Sequence, residues 1–70
     1  MKARRLLAIL MREPLNYRIV RQTGSHRILR APGRPQVVFG FHTRELLPHE
    51  VRKVLVKQVG LAESEALDLL

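Results

Sequence analysis

In the stretch QTGSHRILR, residues 22–30, His26 follows a glycine and a serine directly, with Arg21 and Arg27 close on either side. A histidine of ordinary pKa, about 6.5, accepts and donates protons near neutrality. Displacement at a phosphate ester by a hydroxyl needs a base for the hydroxyl proton, an acid for the departing oxygen, and positive charge around the phosphorus. One imidazole supplies one proton transfer, typically about 10²- to 10⁴-fold in rate, and arginines supply the charge stabilisation. His26 is therefore the candidate catalytic acid or base, with Arg21 and Arg27 as its cationic surround. Ser25 could orient the ring or bind phosphate. The same residues also read as a plain hairpin, in which serine and glycine form the turn and the histidine bonds a strand end.

The remaining histidines are less telling. His42, at the end of an apolar stretch, could serve as a second acid or a phosphate contact if folding brings it near His26; otherwise it is a solvated residue. His49 falls in a first helical turn and reads as surface. The spacing His26, His42, His49 matches no standard ligand pattern, and the chain has neither a glycine-rich phosphate loop nor a nucleophilic triad. No metal or cofactor is expected. Tyr17, Phe39 and Phe41 are the only aromatic residues, too few for a base-stacking platform.

Charge points to the partner. The 70 residues carry a net charge of +7, distributed as +9 over residues 1–44 and −2 over residues 45–70. Nine of the ten bases in the first segment are arginine, whose planar fork grips a phosphate in two places. A polyanion such as RNA or DNA is the expected ligand, with Lys2, Arg5 and Arg12 as further contacts along its path. An ordinary solvated helix face would carry the same residues.

Seventy residues make one domain with a small core. Without cysteine the fold rests on packing, which suits a reducing compartment. The apolar run LLAILM is six residues long and is followed at once by Arg12 and Glu13, so neither an export signal nor a membrane span is expected. The expected setting is the cytoplasm.

The elements that must position His26 follow from periodicity. Ala3, Leu6, Leu7 and Leu10 recur at helical spacing and predict a helix over 3–12 that stops before Pro14. Stretches rich in β-branched residues predict strands over 16–22, 25–31 and 36–42, divided by Thr23-Gly24 and by Pro32-Gly33-Arg34-Pro35. A two-residue first turn would set Ile19 opposite Ile28 and Arg21 opposite His26. Pro48 opens a second helix, 48–59, that Gly60 ends, and a short acidic helix covers 62–69. The expected class is α+β: αβββα, with a three-stranded antiparallel sheet and two helices on one face.

Arg21-Gln22, Gly24-Ser25-His26 and Lys57-Gln58 ahead of Gly60-Leu61, in this order and at these distances, resemble the HicA toxins of bacterial toxin–antitoxin pairs. The likeness runs from the first helix to Leu61. It implies a fold like that of double-stranded-RNA-binding domains and an mRNA interferase activity, an endoribonuclease cleaving mRNA. By position, His26 matches the histidine on which the family's nuclease activity depends, and Gly24 and Ser25 match the turn that presents it. The resemblance also implies a partner, an acidic HicB-like antitoxin. Two places depart from the family pattern: Phe39-Gly40, where many members have Val-Pro, and Pro48-His49, where many have Gly-Thr. A non-catalytic RNA-binding module of the same fold is the alternative, as is a module whose basic face docks an acidic protein.

Overall fold

A computed structural model describes residues 1–40 and 45–70. Helix α1 spans Ala3–Met11, and its apolar stripe buries Ala3, Leu6, Ile9 and Leu10. Ile9 rather than Leu7 takes the deeper place. The helix stops at Met11, one residue earlier than the periodicity suggests, because Arg12 is already extended two residues ahead of Pro14. The chain then reverses through Asn16 at φ +57°, a left-handed conformation that asparagine tolerates better than most side chains. This reversal consumes residues expected to be strand.

Three strands follow: β1, Arg18–Thr23; β2, His26–Arg30; and β3, Val37–Gly40. They form an antiparallel sheet in the order β1-β2-β3. Helix α2, Pro48–Arg52, runs directly into a π-helical stretch, Lys53–Gln58, and α3 spans Glu63–Leu69. The π turn is a departure from the continuous α-helix expected over 48–59. Its wider ring is closed by the Val59 N–H donating to the Val54 carbonyl at 3.0 Å. Gly60, at φ +88°, then lets the Leu61 N–H fold back onto the Leu55 carbonyl at 3.1 Å. The class is α+β, in the order αβββα with a further C-terminal helix.

One face of the sheet carries the core. Leu29, Val37 and Phe39 point to the helices and join Leu6, Leu10, Leu55 and Val59 in one buried cluster. Each such side chain contributes about 1.5–3 kcal/mol by leaving water. Tyr17 is buried beside them, and its hydroxyl donates to the Pro35 carbonyl at 2.8 Å, so the polar tip is satisfied. The opposite face, with Arg18, Arg21, Thr23, His26, Arg30 and Val38, is exposed. No element covers it among the described residues.

The pairing of β1 with β2 differs from the register expected above. Thr23 pairs with His26, Gln22 with Arg27 and Arg21 with Ile28, and the turn is Gly24-Ser25 instead of Thr23-Gly24. Only Gly24 has a positive φ there, +58°, the pattern of a turn with glycine at its first central position. The alternative would have forced β-branched Thr23 into that place. A bulge at Val20 then shifts the ladder, so that Ile19 pairs with Leu29 on the helix side. Arg21 stays on the face of His26, because a shift of two residues preserves sidedness.

Candidate functional site

His26 opens β2 immediately after the Gly24-Ser25 turn, and its side chain is exposed on the uncovered face of the sheet. Local sequence accounts for this. Glycine permits the tight reversal, and alternation along β2 sends His26, Ile28 and Arg30 outward while Arg27 and Leu29 go inward.

The neighbours of His26 come from both adjacent strands. Thr23 stands directly across on β1 and Gly40 directly across on β3. The ring lies against Gly40: its Nε2 and Cδ2 are both 3.8 Å from where a Cβ on that residue would be. Arg21 occupies the diagonal position on β1, about 7–8 Å away between backbones and within reach of a long side chain. Beyond it, Arg18 pairs with Arg30, and Arg30 donates from Nε to Gln36 Oε1 at 3.2 Å. Two arginines directly opposite one another repel. That cost is offset when an anion lies across them.

The other residues singled out from sequence are placed elsewhere. Arg27 faces the helix side, opposite Phe39, and its Nε donates to Gln22 Oε1 at 3.1 Å. Gln22 in turn reaches the Gly24 carbonyl at 3.4 Å, so the Arg21-Gln22 pair divides its work: Arg21 faces outward and Gln22 steadies the hairpin. Lys2 caps the start of α1 and pairs with Glu45 at 3.6 Å. Arg5 is exposed on α1, in the layer behind the sheet. Arg12 donates from Nη2 to the Leu69 carbonyl at 3.0 Å, where a cation complements the C-terminal end of α3. The structure thus brings Gly24, Ser25, His26 and Arg21 together, and leaves Lys2, Arg5, Arg12 and Arg27 off that face. His42 lies outside the described residues.

Thr23, Gly40, Arg18 and Arg30 were not selected from the sequence. The signal that would have found them is the turn itself. With glycine placed first in the turn, Thr23 must face His26, and the second hairpin then brings Gly40 to its other side.

Lys57-Gln58 also acquires a structural meaning. Gln58 Oε1 accepts the Val38 N–H at 2.9 Å, on the side of β3 away from β2. The C-terminal part of the motif thereby meets the sheet that carries the N-terminal part.

Among the described residues no helix is long and apolar enough to cross a membrane. Comparison with known proteins adds one finding: a family model described as the HicA toxin of bacterial toxin–antitoxin systems matches residues 3–61. No curated protein and no solved structure gives a match.

Proposed function

The chain belongs to the HicA toxin family of bacterial toxin–antitoxin systems, and from that premise we propose that it is an endoribonuclease cleaving mRNA in the cytoplasm, with His26 as general acid/base. The observation that carries the reading is the placement of His26: exposed, at the mouth of a glycine turn, on the same uncovered sheet face as Arg18, Arg21 and Arg30. A single-stranded backbone laid along that face meets the arginines as phosphate contacts and the imidazole as proton carrier.

In this reading His26 takes the proton from a 2′-hydroxyl as the 2′-oxygen attacks the adjacent phosphorus. The arginines stabilise the charge that develops on the phosphoryl oxygens, and the 5′-oxygen leaves with a proton from solvent. Ser25, beside the ring in sequence, and Thr23, across from it, offer hydroxyls to orient the imidazole or the phosphate. With a single imidazole for two proton transfers, the rate falls below that of a two-histidine nuclease. The side chains suffice for this chemistry, so cleavage should persist in excess chelator.

The test is purified protein against single-stranded RNA, beside His26→Ala and beside RNA carrying 2′-deoxy sugars. Cleavage is expected to drop about 10²-fold or more on losing the imidazole and to stop at 2′-deoxy positions. Equal cutting by wild type and His26→Ala would sink the reading. Salt-sensitive binding with intact RNA would favour the non-catalytic module instead.

A toxin–antitoxin family implies an antitoxin partner. Ile28, half-buried, and Val38, exposed, lie among the arginines of the open face. Apolar side chains interleaved with cations suit an acidic protein surface, here a HicB-like antitoxin, that competes with RNA for the same ground.

A further inference from the structure

Cross-strand pairing arranges the open face in rows. Thr23, His26 and Gly40 form one, Arg21, Ile28 and Val38 the next, and Arg18 and Arg30 the third. The third row lies four residues along β2 from His26, about 13 Å at the rise of an extended strand. Two arginines directly opposite each other destabilise a free sheet, and this pair finds no relief within its own sheet: residues 18–40 contain no Asp or Glu. Among the described residues no carboxylate pairs with either side chain. A local rule broken without structural gain marks a functional position.

The pair is also held in place. Gln36 Oε1 accepts from Arg30 Nε at 3.2 Å, which draws the guanidinium across the sheet toward β3 instead of along β2 toward His26. Its two terminal nitrogens are left to grip an anion in two places. The starts of β1 and β3 are tied to one buried residue: Tyr17 immediately precedes Arg18, and its hydroxyl bonds the carbonyl of Pro35, which immediately precedes Gln36. We infer that Arg18 and Arg30, steadied by Gln36, form a phosphate subsite apart from the point of cleavage. Its spacing from His26 exceeds a single nucleotide step, so it takes a phosphodiester at least one nucleotide beyond those flanking the scissile bond and sets the length of single strand that the protein engages. The identity of the scissile bond rests on the nuclease reading, whereas the subsite itself does not.

The test has a binding arm and a cutting arm. Binding is measured on 2′-O-methyl strands of increasing length, which resemble RNA and offer no hydroxyl for attack. Wild type should gain about 10-fold in affinity, the worth of one charge-assisted bond, at the length that first spans both rows, and the Arg18→Gln/Arg30→Gln double variant should lack that gain. For cutting, a DNA strand with one ribonucleotide fixes the cleavage point, and a neutral methylphosphonate replaces one phosphate at a time. At a position beyond the flanking phosphates KM should rise about 10-fold with kcat little changed. In the double variant the same replacement should cost nothing further.

Sensitivity confined to the phosphates beside the cut would overturn the inference, as would the same distal penalty in wild type and double variant. An equal length step in both proteins would do so without any cleavage. If His26→Ala cuts as fast as wild type, the nuclease reading fails, and the length series alone decides the subsite. Removing a like charge should leave the fold intact, with a melting temperature at low salt level with wild type or above it. Should the double variant not fold, Arg18→Gln alone carries both arms.

Discussion

Gln58 holds the edge of the sheet: its side-chain carbonyl accepts the backbone N–H of Val38 at 2.9 Å. Strand β3 has β2 on one side only, so its outward N–H groups would otherwise be open to water or to a foreign strand. The π-helical turn Lys53–Gln58 delivers the amide to that edge. On the opposite edge β1 is protected differently, by the bulge at Val20 and by Arg18 and Arg21, devices that discourage strand addition.

Gln58→Ala should therefore lower stability by about 0.5–1.5 kcal/mol, the usual net worth of one hydrogen bond. Amide exchange at Val38 should accelerate while Leu29 in the central strand keeps its protection. Unchanged exchange at Val38 would show that the bond does not persist in solution.

Tyr17 offers a pH-dependent test of the core. Burial raises its hydroxyl above the ordinary value of 10.0, a rise that nearby Arg34 partly opposes. The folded form therefore holds its proton at a pH where the unfolded chain releases it. Stability from this group is intact below about pH 10 and declines as pH climbs through the raised folded value. Tyr17→Phe should cost about 0.5–1.5 kcal/mol at neutral pH for the missing bond to Pro35 and should flatten the alkaline decline in urea melts. A variant with the same alkaline slope as wild type would assign that slope to other groups.

Glu45 should act at the acid end. The N-terminal ammonium, 2.6 Å from its carboxylate, hydrogen-bonds it and holds it below the usual carboxylate range, with Lys2 helping by charge. A depressed folded value means that the contribution is present above about pH 4.5 and fades as pH falls through the folded value. Glu45→Gln should shallow the acid unfolding curve in that window and lower neutral stability slightly, because the ion pair it removes is intact there. The carboxylate is exposed, so the effect should also shrink at high salt.

RNA affinity should distinguish the two layers. Arg21→Gln and Arg18→Gln remove cations from the face of His26, and each should weaken binding and reduce the salt slope by roughly 0.7 for every phosphate no longer neutralised. Arg5→Gln, in the layer behind the sheet, should change both little. Equal weakening by the Arg5 and Arg21 substitutions would show that the RNA path is not confined to the open face.

Much of the fold was legible in the residues. Helical spacing in Ala3, Leu6 and Leu10 announced α1, β-branched runs announced the strands, and Gly60 announced the end of the second helix. Each is a local signal, decided within a few residues of itself. The register was not of that kind. Whether Gly24 stands first or second in its turn depends on which φ the neighbouring threonine can accept, and the Val20 bulge depends on which side of β1 meets the core. The π turn was hidden for a similar reason: it is the reach of Gln58 to Val38 that gives the wider turn a task.

By itself the sequence determined that a basic, cysteine-free chain would take the α+β class with His26 beside a glycine turn, because composition, periodicity and turn chemistry act locally. Only the tertiary structure decided what surrounds that histidine. Pairing of three strands set Thr23 and Gly40 on either side of it, drew Arg18, Arg21 and Arg30 to its face, and sent Arg27 and the cations of α1 away. Sidedness in a sheet alternates with every residue and flips with every bulge, so which charges share a surface is a property of the assembled sheet and not of any one stretch of chain.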